Sequence, residues 1–216
     1  MNHFVVSEIS HVLLVVALLS RLLRRLIGGR RGAWIGFALG AILTVLPPEY
    51  SPTFYTRGLL GELSALSLIF LAHFLVKGLY DYQLIPRREG YYLAVTGLTA
   101  AFMIYPASLG VNAFPDVYEF GYGSAGLISA MGGLGAFFLW RGCPVAVTWI
   151  GLSFFLYGFR LHPSLNFWDS LIDLPSVMVC AGFLLHALWR RIRDGKALAG
   201  RRGLDSTGGE LIDETS

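Results

Sequence analysis

Apolar residues run along the chain in seven blocks, at about 4–26, 30–46, 58–80, 90–108, 123–140, 144–161 and 171–190, with short polar or charged interruptions between them. About 20 mainly apolar residues cross the ~30 Å of hydrocarbon in a bilayer. The pattern therefore predicts an all-α fold, a polytopic membrane helix bundle of seven transmembrane helices. The second block is the shortest, since Ala33 to Leu46 is cut off by Pro47-Pro48, and reads as a tilted or re-entrant segment. The fifth and sixth are joined by a tight hairpin at Arg141-Gly142-Cys143-Pro144.

The interruptions carry the basic residues, and their distribution suggests an orientation. With the N-terminus outside and the C-terminus cytoplasmic, all of the 17 Lys and Arg residues except Arg57 and Arg160 fall on the inner side, as the positive-inside bias requires. Dropping the second segment would set Lys77, Arg87 and Arg88 opposite the Arg21 to Arg31 cluster. Residues 1–194 are read as the transmembrane domain and 195–216, rich in Gly and charge without apolar periodicity, as a disordered cytoplasmic tail. The arginines follow the first apolar block rather than precede it, so that block is read as a retained span and not a secretory leader. The expected location is a bacterial-type inner membrane, with multi-pass insertion and a transport role.

Composition narrows the classes further. The 216 residues are 55% hydrophobic and 14% charged, against roughly 25% charged in an ordinary soluble domain. The net charge of +3 lies between apolar blocks instead of on one solvated face, which excludes nucleic acid as a partner. Cys143 and Cys180 are too few for a disulfide scaffold or a four-thiolate site and, at unequal depth, read as free thiols. Gly32, Gly36 and Gly40 recur every fourth residue, as do several small residues of the fifth block, which points to close helix packing within the chain. The Gly121 to Gly126 run has no following Lys-Ser or Lys-Thr and is not a phosphate-binding loop.

Candidate chemistry lies in the ionisable residues that interrupt the apolar blocks. Glu8 and His11, three apart, share one helix face; Glu62 stands near the start of the third block; Asp169 and Asp173 open the seventh; Arg160 and His162 lie in the loop before it. Together with Glu49, Asp116 and Glu119 these make one side of the protein acidic. Glu62, His73 and Lys77 are spaced as one helical stripe; Asp169, Asp173, Ser176 and Cys180 form a second, and Tyr92, Thr96 and Thr99 a third. If the stripes face each other they line a cavity narrowing toward His73. The binding candidates are accordingly Glu8, His11, Glu62, His73, Arg160, His162, Asp169 and Asp173. Glu8, His11 and Glu62 are also the candidates for metal ligands. His73 with His186 is the pair that would suit a haem, although no attachment motif is present. No cofactor follows from the sequence. The blander reading of Asp169 and Asp173 is that one of them caps the last helix.

Three functions fit this set. The first is an acidic and aromatic cavity that binds or transports a cation, a proton or a lipid-like small molecule, with the loops at 47–58 and 111–123 covering it. The second is a membrane-embedded hydrolase or transferase acting on a lipid, with Glu8, His11, Glu62 or Asp173 as acid, base or metal ligand. The third is an accessory subunit of a larger membrane complex. Membrane lipids and other membrane-protein subunits are the expected partners.

Overall fold

The computed structural model describes residues 2–110 and 117–208, with side chains for 7–110 and 117–194. Among the described residues every regular element is helical: α1 (Asn2–Leu26), α2 (Gly29–Thr44), α3 (Pro52–Leu60), α4 (Ala65–Tyr80), α5 (Arg87–Ser108), a 3-10 turn at Glu119–Tyr122, α6 (Ala125–Trp140), α7 (Pro144–Gly158), α8 (Phe167–Leu171) and α9 (Leu174–Gly208). The all-α expectation holds. The tail expected at 195–216 lies outside the described side chains, and Asp116 lies outside the described residues.

The long helices run up and down. α1 packs on α2 and α4; α4 also meets α7 and α9; α5 lies against α9, and α6 against α7. The main core is filled by Leu66, Leu93, Phe138, Trp149, Phe167 and Leu171, all fully buried. The α1–α2 hairpin is closed by the glycine stripe. A Cβ on Gly32 would stand 2.4 Å from the carbonyl oxygen of Leu23, and one on Gly36 2.4 Å from that of Leu19, so backbone lies directly on backbone. This is the intramolecular packing that the four-residue spacing suggested.

The membrane-spanning reading is corrected. Among the described residues no helix is both long enough and apolar enough to cross a membrane. α2, α4 and α6 have 16 residues each and α7 has 15, which at 1.5 Å per residue is about 24 Å or less. Hydrocarbon is ~30 Å thick. The longer helices interrupt their apolar character: α1 carries Glu8, His11, Arg21, Arg24 and Arg25, α5 begins Arg87-Arg88-Glu89 and contains Pro106, and α9 carries Arg190, Arg191, Arg193 and Asp194. The seven transmembrane helices, the outside-to-cytoplasmic orientation, the multi-pass inner-membrane location and the transport role drawn from them are therefore withdrawn.

The third block is also not one helix. α3 ends at Gly61, whose φ of 67° closes the helix with its N–H on the carbonyl of Arg57 at 2.9 Å. The chain then crosses Glu62 and Leu63 before Ser64 starts α4 as its N-cap, its hydroxyl accepting from the N–H of Ser67. At the far end of α4 the guanidinium of Arg24 donates to the carbonyls of Lys77 and Gly78, both at 2.7 Å, and to Asp81. A cation thus sits on the negative end of the α4 dipole. Asp81, itself in the left-handed region, also pairs with Arg30 at 2.9 Å.

Candidate functional site

The bundle has one carboxylate-rich end, formed where α1 and α9 begin, α3 hands over to α4, and the 160–173 segment crosses from α7. Asp173 is the joint of this end. It is the N-cap of α9 in a reciprocal box: its carboxylate accepts from the N–H of Ser176 at 2.8 Å while the Ser176 hydroxyl accepts from the N–H of Asp173 at 3.1 Å. The same carboxylate accepts from the N–H of Ser64 and the hydroxyl of Ser67, both at 2.7 Å. One negative charge therefore lies between the positive ends of α4 and α9. Both of its oxygens are engaged by these donors, in line with the capping role.

Glu62 stands in the α3–α4 junction and not on a helical stripe with His73. Its Oε1 accepts from Nε and Nη2 of Arg57 at 3.0 and 2.8 Å, an ion pair that is mostly shielded from solvent. Asp169 accepts from the hydroxyls of Tyr118, at 3.2 Å, and Ser164. His162 lies in the field of Asp169, Glu62 and Asp173. Burial nonetheless lowers its pKa, with those three carboxylates opposing. Its Nδ1 accepts from the N–H of Ser164 at 3.4 Å, which leaves the proton on a buried Nε2 with no partner among the described residues. Burial and the same acidic field push Tyr105 and Tyr118 up to about 12. Arg160, expected to clamp a headgroup or neutralise these aspartates, is exposed after α7 with φ 52° and joins no ion pair among the described residues.

His11 is fully buried. Its Nε2 is 2.9 Å from the carbonyl oxygen of Gly61. A carbonyl can only accept, so Nε2 carries the proton and Nδ1, buried and unpartnered, presents a lone pair. Burial lowers the imidazole pKa and Arg57 adds to this, against the Gly61 bond and the charges of Glu62 and Glu8. The histidine pins α1 to the α3–α4 junction in its neutral form.

Glu8 is placed differently. It is exposed, accepts a hydrogen bond from Thr53 at 3.1 Å, and enters no ion pair among the described residues. Thr53 is in turn fixed by Ser51 at 2.8 Å. The carboxylate lies on the wall of a cavity of about 520 Å³ bounded by Thr44, Leu46, Pro48, Ser51, Thr53, Phe54, Arg57 and Gly58. Residues of the 47–58 segment, most of which is the start of α3 rather than a loop, line this cavity, and Glu8 and Arg57 are its charged side chains.

The other candidates fall away from this end. His73 accepts the N–H of Ile85 at 3.1 Å and holds the α4–α5 loop, its pKa lowered by burial and by Lys77 and Arg21. His186 is exposed on α9 and stacks on Trp189, so the pair considered for a haem is split between two structural roles. No group of three or more His, Cys, Asp or Glu residues among those described is placed to hold a metal, and Glu8, His11 and Glu62 are each drawn to a different partner. Cys143 and Cys180 are free, as expected, and both are buried, Cys143 included although it lies in the α6–α7 hairpin.

Besides Ser64 and Ser67, the buried Glu89 and Asn166 escaped the sequence reading. Glu89 accepts the N–H of Val145 at 2.8 Å and so caps α7 from α5. Asn166 caps α8 through the N–H of Trp168 at 3.0 Å and donates to the carbonyl of Tyr118 at 3.0 Å. The signal for Asn166 was present in Asn-Phe-Trp-Asp, a cap residue before an apolar pair; Glu89 offered none, because its helix end is 56 residues away.

The chain matches no protein-family model, no curated protein and no solved structure.

Proposed function

We propose that the protein binds a small amphipathic molecule with a cationic head in the cavity between α1, the end of α2 and α3. The observation that supports this is Glu8: a carboxylate oriented by Thr53, without a cationic partner among the described residues, on the wall of a cavity whose other surfaces include Leu46, Pro48 and Phe54. Arg57 does not supply the missing charge, since Glu62 holds it. A cation seated against Glu8 gains charge attraction and the face of Phe54, and an apolar body fills the remainder. The hydrolase reading has less behind it, because Asp173 and Glu62 are committed to helix ends and to Arg57.

Calorimetric titration of the full chain with hexyltrimethylammonium, hexyl sulfate and hexanol tests the proposal. The ammonium should bind one site, the other two at least about tenfold more weakly, and Glu8→Gln should remove that preference, as loss of a charged contact worth ~1.5–3 kcal/mol requires. Equal affinity for all three probes, or an unchanged Kd in Glu8→Gln, would overturn it.

A subunit role is favoured by a separate observation. Leu59 on α3, Leu109 after α5, Leu139 and Trp140 at the end of α6 and Met178 on α9 remain 82, 80, 70, 79 and 67% exposed, apolar side chains that a partner subunit would cover. Native mass spectrometry of the purified chain should then report an assembly; a monodisperse monomer would count against it.

A further inference from the structure

At the end of the bundle opposite Glu8, where α5 begins and α6 turns into α7, two arginines converge on one phenol. Arg141 donates to the hydroxyl of Tyr92, and its guanidinium carbon is 5.5 Å from the ring centre. Arg88 approaches the same ring at 5.9 Å and donates through Nη2 to the carbonyl of Arg141 at 3.2 Å. The hydrogen bond from Arg141, with the Arg88 guanidinium beside it, holds the phenol below its usual pKa against the effect of burial. Arg87 adds a third exposed cation beside them.

Nothing among the described residues neutralises this group. The ion pairs there involve Asp81, Glu62 and Asp194, none with Arg88 or Arg141. Glu89, adjacent in sequence, is buried and turned to the N–H of Val145. Two like charges fixed by the same tyrosine repel, and an anion between them relieves that repulsion. Each guanidinium has five N–H donors, of which these contacts occupy few. The remaining donors form two planar forks, where a carboxylate needs only one. A tetrahedral group with three acceptor oxygens can engage both.

We propose that Arg88 and Arg141, oriented by Tyr92, form a binding site for a phosphoryl group, carried by a free phosphate ester or by a phospholipid headgroup. The site is independent of the cavity at Glu8.

Titration of the full chain with glycerol 3-phosphate, dihexanoyl phosphatidic acid and acetate, followed by calorimetry, tests it. Both phosphates should bind at one site and acetate at least about tenfold more weakly. Arg88→Gln and Arg141→Gln should each loosen phosphate about tenfold or more, as expected for loss of charged hydrogen bonds, with an unchanged circular dichroism spectrum. Arg31→Gln, an exposed cation on α2, should bind as the unaltered chain does. Tighter binding of the phosphatidic acid identifies the headgroup as the source, and equal binding the free ester. Acetate binding as well as phosphate, unchanged affinity in both arginine variants, or an equal loss in Arg31→Gln would each overturn the site.

Discussion

Replacing Asp173 should separate two helix starts at once, and the cost follows from its three donors. In Asp173→Ala, α9 loses its N-cap, worth ~1 kcal/mol. The N–H of Ser64, in a residue with no solvent exposure, is left without its acceptor at a cost of ~1–3 kcal/mol. The Ser67 hydroxyl, in a residue only 5% exposed, loses a charge-assisted bond of ~1.5–3 kcal/mol. Because these groups are neighbours and not additive, we expect about 3–5 kcal/mol in total. For a chain of this size that is a fall in Tm on the order of 6–20 °C. Asp173→Asn keeps one carbonyl oxygen but turns an amide N–H toward donors that require an acceptor, so it should lie between alanine and the unaltered chain. Urea unfolding followed by circular dichroism gives the comparison, and Ser176→Ala combined with Asp173→Ala should cost clearly less than the sum of the two single changes. An Asp173→Asn protein within about 0.5 kcal/mol of the unaltered chain would refute the argument that the charge itself joins α4 and α9.

Other consequences can be checked in the same assay. Gly36→Ala should destabilise by more than the ~1–3 kcal/mol of ordinary overpacking, since its Cβ meets backbone of Leu19 and Ser20 at 2.4 to 2.6 Å; Gly132→Ala, with nothing within 4 Å, should instead stabilise α6 by up to ~1 kcal/mol. Gly121→Ala places a Cβ 1.8 Å from Oδ1 of Asn166 and should displace the α8 cap, seen as a lowered Cm. His11, His73 and His162 are all held below the ordinary histidine pKa, so the fold favours their neutral forms. The stability this gives is complete above about pH 6.5 and is lost as pH falls from there toward the folded values, by at most ~1.4 kcal/mol per pH unit for each histidine. His162→Gln should flatten that slope, and an unchanged slope between pH 6.5 and 5 in this variant would exclude His162 as a contributor.

The helices were legible in the apolar blocks, and the glycine spacing at 32, 36 and 40 showed that a close approach would occur there. Blocks do not show how an end is finished. Apolar residues continue through 58–80, so the break at Gly61 to Ser64 was hidden, although a glycine three residues before a serine cap is its local mark. Equating block length with membrane thickness failed for a related reason: the caps and turns take residues from each block, and the helices that remain have 15 or 16 residues in four cases. The site was legible in part. The 3.6-residue spacing identified Asp173 and Ser176 as sharing a face, which is how the cap works. It said nothing of which helix lies opposite, so the role of Asp173 at α4, 109 residues away from it in the chain, could not be read.

The asymmetry of charge along the chain becomes a polarity between the ends of the bundle, and part of it serves the helix termini. Asp173 lies on the starts of α4 and α9, Glu89 on the start of α7, and Arg24 on the finish of α4. Each places a charge where the helix dipole stabilises it. Glu62 answers Arg57, Asp169 is held by two hydroxyls, and Asp81 by two arginines. When these are set aside, Glu8 at one end and the Arg88 and Arg141 pair at the other are among the described charges that no ion pair uses, and unlike the exposed Arg31, Arg87 and Arg160 they are oriented by a neighbouring hydroxyl or carbonyl. That division has a measurable form. Glu62→Gln and Asp173→Asn should lower stability, whereas Glu8→Gln and Arg88→Gln should leave unfolding within about 0.5 kcal/mol of the unaltered chain, the range of surface changes, and alter ligand affinity alone. A Glu8→Gln protein that unfolds several degrees earlier would move Glu8 into the structural group and remove the basis for a ligand at that cavity.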